Sequence, residues 1–305
     1  MQTLTIIIPS YNEAECIRPL YESVEPFLKD KNIESRYLFV DDGSKDDTLK
    51  ILKELREEDK RVHYISFSKN FGKEAAMQAG LINSKDSDMV IIMDSDLQHP
   101  PYLIEEMLKK HSEGYKIVYS LQRSRKKEGL FRKTTARAFY SFFNKHAEVP
   151  MEQSMKDYML LDKVVVEAFL SMPDEYRFLR GIFSYVGFKR CSVEFDYVER
   201  ELGKTKWNFK KLFKYGLANL NQFSTVFMIL PPIASIFSFL VAVMSIFFVC
   251  FEIINMSAFI VLISISLLFC ITNAVLHSLL YVLYSTRKEA IKRPLYFVEE
   301  SSLDE

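Results

Sequence analysis

Val90-Ile91-Ile92-Met93-Asp94-Ser95-Asp96-Leu97-Gln98 decides how this chain is read. The apolar run reads as a strand buried on both faces, and it stops on two carboxylates separated by one residue. In an open α/β sheet, ligands bind just past the carboxyl ends of the strands. Asp94 and Asp96 offer hard oxygen donors suited to Mg²⁺ or Mn²⁺, with water and a diphosphate filling the other positions. An isolated Asp-x-Asp is more often a polar turn than a site, so the rest of the chain has to carry the reading.

Upstream, Leu4 to Ile8 is a β-branched first strand, followed by the loop Pro9-Ser10-Tyr11-Asn12-Glu13 and a helix over Cys16 to Lys29. Tyr37 to Val40 is a second strand that runs into Asp41-Asp42-Gly43-Ser44. Asp46 or Asp47 suits the cap of a helix over Thr48 to Glu58, whereas Asp42 has no such local job and is the better ligand candidate. Val62 to Phe67 is the third strand, Ser68 to Lys73 a loop, and Glu74 to Leu81 the next helix. Past Gln98, Pro100 and Pro101 suit the first turn of a helix to about His111, and Ile117 to Ser120 is a fifth strand. These alternations predict an α/β fold with a mostly parallel sheet. Asp157 to Leu161 reads as a short strand or turn before a helix over Asp162 to Leu170, and Asp157 itself is an alternative cap for that helix. Tyr185 to Phe188 and Cys191 to Tyr197 read as a small antiparallel addition.

Among the 305 residues, 40 basic side chains balance 40 acidic ones, which gives no case for a nucleic-acid partner. The balance hides a division. No Asp, Glu, Lys or Arg occurs from Tyr215 to Phe251 or from Ile253 to Thr286. Two transmembrane helices are expected there, Val226 to Phe251 and Ala258 to Tyr284, each able to cross roughly 30 Å of hydrocarbon. Lysines precede the pair, Arg287, Lys288, Lys292 and Arg293 follow it, and the turn between has neither Lys nor Arg. The positive-inside rule then predicts a hairpin in the plasma (bacterial inner) membrane, multi-pass, with the catalytic domain and both termini cytoplasmic. The absence of a basic leader and the scattered Cys16, Cys191, Cys250 and Cys270 agree with a reducing compartment. Two Phe-rich basic amphipathic stretches, 130–146 and 208–223, are expected at the bilayer interface, the first equally readable as a helix packed on its own domain. The expected divisions are a catalytic domain over 1–207, a juxtamembrane helix over 208–223, two spans within 224–286 and a tail over 287–305. The acidic end, Glu299 to Glu305, is expected to be disordered.

The chemistry follows from the diphosphate. A metal neutralises the charge that builds on such a leaving group, and Asp96 is the first choice of direct ligand, with Asp94 ligating or orienting. Tyr11 can stack on a base, Asp42 can accept from a base N–H or a ribose hydroxyl, and Gln98 can reach sugar or metal-bound water. Arg123, Arg132, Arg200 and Lys206 suggest a second anion site, for an acceptor phosphate at the membrane surface.

Five stretches carry a resemblance: Pro9-Ser10-Tyr11-Asn12-Glu13, Val40-Asp41-Asp42-Gly43-Ser44, Asn70-Phe71-Gly72-Lys73, Asp94-Ser95-Asp96-Leu97-Gln98-His99-Pro100-Pro101 and Arg177-Phe178-Leu179-Arg180-Gly181. Gly203-Lys204-Thr205-Lys206-Trp207 adds a sixth with Thr in place of Ser. The chain resembles family 2 glycosyltransferases of the polyprenyl-phosphate type, which have a GT-A fold, a Rossmann-like nucleotide-sugar-binding domain. The resemblance implies that Pro9, Tyr11, Glu13 and Asp42 hold the nucleotide. Asp94, Asp96 and Gln98 would organise metal and diphosphate, and Arg123, Arg132, Arg200 and Lys206 the acceptor phosphate. Asp157 would take a residual proton or orient the site. One departure stands out: the family's Asp-Phe-Arg-Leu is here Asp157-Tyr158-Met159-Leu160. The implied reaction is inverting transfer of glucose or N-acetylglucosamine from a UDP-sugar to undecaprenyl phosphate, for wall, teichoic-acid or surface-polysaccharide glycosylation. A flippase and a lipid-sugar-using transferase would act downstream, and self-association is left open. Alternatives are a GDP-mannose-dependent polyprenyl-phosphate mannose synthase and a non-catalytic membrane scaffold; a processive synthase would need more spans.

Overall fold

The computed structural model describes residues 1–29, 31–123, 155–172, 179–196, 256–290 and 294–303. Its centre is an eight-stranded sheet: β1 (Gln2–Ser10), β2 (Ile33–Asp41), β3 (Val62–Phe67), β4 (Met89–Ile92), β5 (Ile117–Gln122), β6 (Met155–Asp162), β7 (Arg190–Phe195) and β8 (Val298–Ser301). The spatial order is β7-β5-β6-β4-β1-β2-β3-β8. The helices are α1 (Ala14–Val24), α2 (Thr48–Glu58), α3 (Lys73–Ile82), α4 (Leu103–Ser112), α5 (Lys163–Ser171), α6 (Leu179–Tyr185) and α7 (Met256–Ala290). Helix α1 ends earlier than its apolar spacing suggests. Pro26 has no N–H to donate back, and Glu25–Phe27 tightens into a 3₁₀ turn.

Strands β3, β2, β1 and β4 are parallel, so the expected α/β arrangement holds where the apolar runs predicted it. Ile7, Ile8, Leu38, Phe39, Ile91 and Ile92 are almost fully buried, because helices cover both faces of these strands. Each such side chain contributes about 1.5–3 kcal/mol through burial. Strand β6 then enters antiparallel between β4 and β5.

Two expectations are corrected. Residues 190–195 do not form an antiparallel addition: β7 pairs parallel with β5, and Tyr185 closes helix α6. Nor are residues 298–303 of the acidic end disordered. Strand β8 lies antiparallel on β3, Ser302 is fully buried, its hydroxyl accepts from the Tyr64 N–H at 2.9 Å, and Glu300 meets Lys53 and the Tyr64 hydroxyl. Charge composition suggested a solvated tail, but the alternating contacts of a short edge strand outweigh it.

The α/β residues and 294–303 belong to one compact unit, and α7 to another. Among the described residues no helix is long and apolar enough to cross a membrane. The first expected span, Val226 to Phe251, lies outside the described residues. The second falls on α7, a helix of 35 residues of which only part of the side chains are described. The stretches 130–146 and 208–223 also lie outside the described residues.

Candidate active site

The parallel strands β1, β2 and β4 end at one edge of the sheet, and their loops are laced together there. The Asn12 N–H donates to Ser44 Oγ at 2.8 Å, and the Lys45 N–H donates to Asn12 Oδ1 at 2.7 Å. Asn12 takes the left-handed backbone (φ 51°) that Asn tolerates better than most residues. The Glu13 N–H donates to Thr48 Oγ1 at 3.0 Å, and Glu13 itself is buried. Asp46 accepts from the Thr48 and Ala14 N–H groups, which fixes the starts of α2 and α1 together, the structural role expected for it. Pro9 is the next-to-last residue of β1, opposite Val40, and its carbonyl accepts from Ser95 Oγ at 3.3 Å.

Asp42 does have a local job, contrary to the sequence reading. Its buried carboxylate accepts from Asn70 Nδ2 (2.9 Å), the Phe71 N–H (2.6 Å) and the Gly72 N–H (2.9 Å). Burial pushes its pKa up to about 6, against the opposing pull of the two N–H groups. The neighbouring Gly43 (φ +66°) is the residue that permits this arrangement, since a Cβ there would sit 2.4 Å from the Lys69 carbonyl carbon.

The loop that Asp42 holds delivers Lys73 as the first residue of α3. Helix α3 lies so close to the sheet that a Cβ on Gly80 would meet Ile7 Cγ2 at 2.3 Å, which pins the helix and its first residue. Lys73 Nζ donates to Asp157 Oδ2 at 2.6 Å and also pairs with Asp94 Oδ1. The two carboxylates meet for a topological reason. In the β4–β6 pairing Ile92 stands opposite Met159, so the same antiparallel register carried two residues further sets Asp94 opposite Asp157. The β5–β6 pairing is irregular at the same place: it passes from Tyr119 opposite Met159 to Leu121 opposite Met155, so β6 carries the extra residues around Asp157. Burial alone would lower the Lys73 pKa, but Asp157 and Asp94 outweigh it and hold the ammonium well above its usual range. Burial would likewise raise Asp94, and Lys73 reverses that, keeping its carboxyl below the ordinary value.

The Asp-x-Asp turn itself is built locally. Asp96 Oδ1 accepts from the Gln98 N–H at 3.2 Å, and Leu97 takes a positive φ of 59°, a strained conformation for a branched side chain. The Asp94 N–H donates to His99 Nδ1 at 3.2 Å, and the ring of His99 stacks on Tyr158 with centroids 5.0 Å apart. Burial lowers the His99 pKa, which agrees with a neutral ring accepting at Nδ1. Met159 is buried in the sheet between Ile92 and Tyr119. Asp157 is not the cap of the following helix, because Asp162 fills that position by accepting from the Val164 N–H at 3.1 Å.

The predicted residues are therefore only partly brought together. Pro9, Tyr11, Glu13, Asp42, Asp94, Asp96, Gln98 and Asp157 belong to the strand ends and loops of this one edge. Arg123 follows β5, exposed, and pairs with Glu194 at 3.0 Å and Asp196 at 3.8 Å. Arg132, Arg200 and Lys206 lie outside the described residues. Lys73 and His99 are additions. A signal for Lys73 existed: a cation at the first position of a helix faces the positive end of the helix dipole and is unfavourable without acids to hold it. As for a metal, among the described residues no group of three or more His, Cys, Asp or Glu side chains is placed to hold one. Asp94 and Asp96 supply two oxygen donors, which fits a cation whose remaining positions come from water and a ligand's phosphates.

Residues 5–167, more than half of the chain, match Glycosyl transferase family 2. The chain belongs to that family. The enzyme's likeness to named proteins runs beyond the family match. The putative glycosyltransferase CsbB of Bacillus subtilis is 41% identical over 221 residues, covering 72% of this chain and 67% of that protein. The prophage bactoprenol glucosyl transferase homolog of Escherichia coli is 36% identical over 222 residues, covering 73% and 72%. Residues 170–293 of this glycosyltransferase match the SUR7/PalI family. Among solved structures, mannosyl-3-phosphoglycerate synthase from Rubrobacter xylanophilus superposes with a TM-score of 0.50 at 16% identity, covering 72% of this chain and 74% of that one, a likeness of fold. The α/β domain is thus GT-A-like.

Proposed function

We propose that this family 2 glycosyltransferase moves glucose or N-acetylglucosamine from a UDP-sugar to a polyprenyl phosphate such as undecaprenyl phosphate, inverting the anomeric carbon. The observation that carries the reading is the Lys73–Asp94–Asp157 cluster beside the Asp-x-Asp turn, at the carboxyl ends of parallel strands where α/β sheets bind ligands. Relatives named bactoprenol glucosyl transferases support the acceptor.

In this reading Tyr11, Pro9, Glu13 and Asp42 form the nucleotide side, with Asp42 acting chiefly by shaping the Asn70–Gly72 loop. Asp94 and Asp96, with Gln98 beside them, would hold Mg²⁺ or Mn²⁺, which when bound neutralises the charge that develops on the leaving diphosphate. Lys73 contributes fixed positive charge between the donor and acceptor sides. The second ionisation of a phosphate monoester lies near pH 6, so a lipid phosphate is mostly its own nucleophile at neutral pH. Asp157 then serves to aim Lys73 and to orient the site. Arg132, Arg200 and Lys206 remain proposed acceptor-phosphate residues, while the acids beside Arg123 make it the weakest of that group.

The membrane part of the reading is a two-helix hairpin within 224–286, interfacial helices over 130–146 and 208–223, and both ends of the chain in the cytoplasm. Its support is the SUR7/PalI match, the uncharged stretches and the placement of β8. A strand that follows the apolar stretch lies in the same sheet as β1, which supports an even number of crossings between them.

The test is transfer by the full-length protein, purified in detergent, from UDP-glucose, UDP-N-acetylglucosamine and GDP-mannose to undecaprenyl phosphate. Formation of the lipid-linked sugar from a UDP donor is the expected result. Use of GDP-mannose alone would select the mannose-synthase reading, and no transfer from any donor would overturn the enzymatic one.

A further inference from the structure

The segment after α7 does more than close the edge of the sheet. Its first residues lie against the end of β3 and the loop that leads to Lys73. The Tyr296 ring stacks on Phe67, the last residue of β3, with centroids 4.6 Å apart and planes 16° from parallel. The Ser68 N–H donates to the Phe297 carbonyl at 3.0 Å. The rings of Phe297 and Phe71 are 6.2 Å apart, and Phe71 also meets Phe67 edge-on at 5.8 Å. From the other side Asp42 accepts from the Phe71 and Gly72 N–H groups. Residues 68–72 are thus gripped between the end of β2 and the C-terminal segment, and the next residue is Lys73.

We propose that residues 294–303 are a positioning element of the active site, acting through Tyr296 and Phe297 on the Ser68–Gly72 loop so that Lys73 reaches Asp94 and Asp157. Three features favour this over simple edge protection. An edge strand needs only its ladder, yet the contacts of Tyr296 and Phe297 fall past the β8 ladder, on the end of β3 and its loop. The pairing is irregular between Ser66 and Phe67, where the two chains turn from sheet to loop. Lys69 and Asn70 are exposed, so the loop has little burial of its own to hold it and depends on these tethers. Tyr296 and Phe297 touch neither Asp94 nor Asp157 in any contact described above, so they act through the loop.

The inference rests on the reading of Lys73 as part of the transfer site, and the test separates the two. Full-length protein in detergent is compared with Tyr296→Ala, and with Tyr296→Leu, which keeps apolar bulk without the ring stack. Amide hydrogen exchange is followed at Phe71 and Gly72 and at β1 and β2, together with initial rates of sugar transfer in native and Lys73→Met backgrounds. Loss of the tether should speed exchange at Phe71 and Gly72 by about tenfold, with β1 and β2 unchanged. Transfer should fall in the native background, and kcat should fall more than the donor KM rises. In the Lys73→Met background the same substitution should cost nothing further, since effects transmitted through one residue are not additive. Unchanged exchange at Phe71 and Gly72 in the folded Tyr296→Leu protein overturns the proposal. So does an equal loss of transfer in both backgrounds. A fully active Lys73→Met enzyme would instead sink the assignment of Lys73 to the reaction, while the exchange data would still report whether the segment holds the loop.

Discussion

Replacing Lys73 with Met tests the centre of the site. Methionine keeps much of the length and apolar stem but leaves Asp94 and Asp157 facing each other with no cation between them. Charge-assisted hydrogen bonds contribute roughly 1.5–3 kcal/mol each, and stranding one member of a buried pair costs about 3–5 kcal/mol. The side chains of Lys73, Asp94 and Asp157 keep 32%, 26% and 11% of their surface open, so solvent screens part of this. The low end, about 3 kcal/mol, is therefore expected, or about 6–12 °C in Tm for a domain of this size. The pH dependence is more diagnostic than the size. In the native protein Lys73 holds Asp94 below its ordinary pKa, so the stability it contributes is present above that ordinary value and is lost on acidification. Without Lys73, burial dominates and carries Asp94 above its ordinary value, so stability is lost as pH rises through the new pKa. The Tm deficit of Lys73→Met should thus be present at pH 4.5 and grow larger by pH 7.5, measured with EDTA present. Adding Asp157→Asn should recover part of it by removing one of the two facing charges. A deficit equal at both pH values, or one that Asp157→Asn deepens, would refute the reasoning.

Three further outcomes are expected. Asp42, raised to about 6 by burial, favours folding in its protonated form, so its contribution is present in acid and lost as pH rises through about 6. Melts from pH 4 to 7 should show Asp42→Asn removing a downward slope worth at most about 3 kcal/mol. Gly43→Ala should destabilise by about 2 kcal/mol or more, from the contact with Lys69 added to the positive φ. Gly114→Ala, at φ +91° with nothing within 4 Å, should cost about 1 kcal/mol, and equal denaturation midpoints for the two would discount the contact. Asp96→Asn keeps an oxygen to accept the Gln98 N–H and so should leave the melting curve unchanged while nearly abolishing transfer with Mg²⁺ or Mn²⁺. Appreciable turnover by that variant would remove Asp96 from the ligand set.

The half of the sheet around β1, β2, β3 and β4 was legible because each strand is a short apolar run that ends on polar turn residues, and both signals are local. Asp94, Asp96 and Asp42 stood out for that reason. The meeting of Asp94 with Asp157 was not legible, since it depends on β6 inserting antiparallel beside β4, a pairing across more than sixty intervening residues. The partners of Asp42 were hidden in the same way, being backbone N–H groups of a loop from another strand. Strand β8 was missed because Val298-Glu299-Glu300-Ser301 has the composition of a solvated tail, and only its place beside Lys53 and Tyr64 makes it a strand. Met159 has a plain packing role between neighbouring strands.

Strand β8 also sets an order of events during synthesis. The sheet edge at β3 is complete only when residues 298–301 exist, and they emerge after the whole apolar stretch. Until then β3 offers a bare row of backbone donors and acceptors to any neighbouring chain, the usual template for aggregation. The β3–β8 contact also has one of the longest sequence separations in the fold, with a loop-closure cost to match. Ribosomes that stall within the apolar stretch would leave nascent chains with this edge exposed, and pairing between such chains is the misfolding route this topology invites.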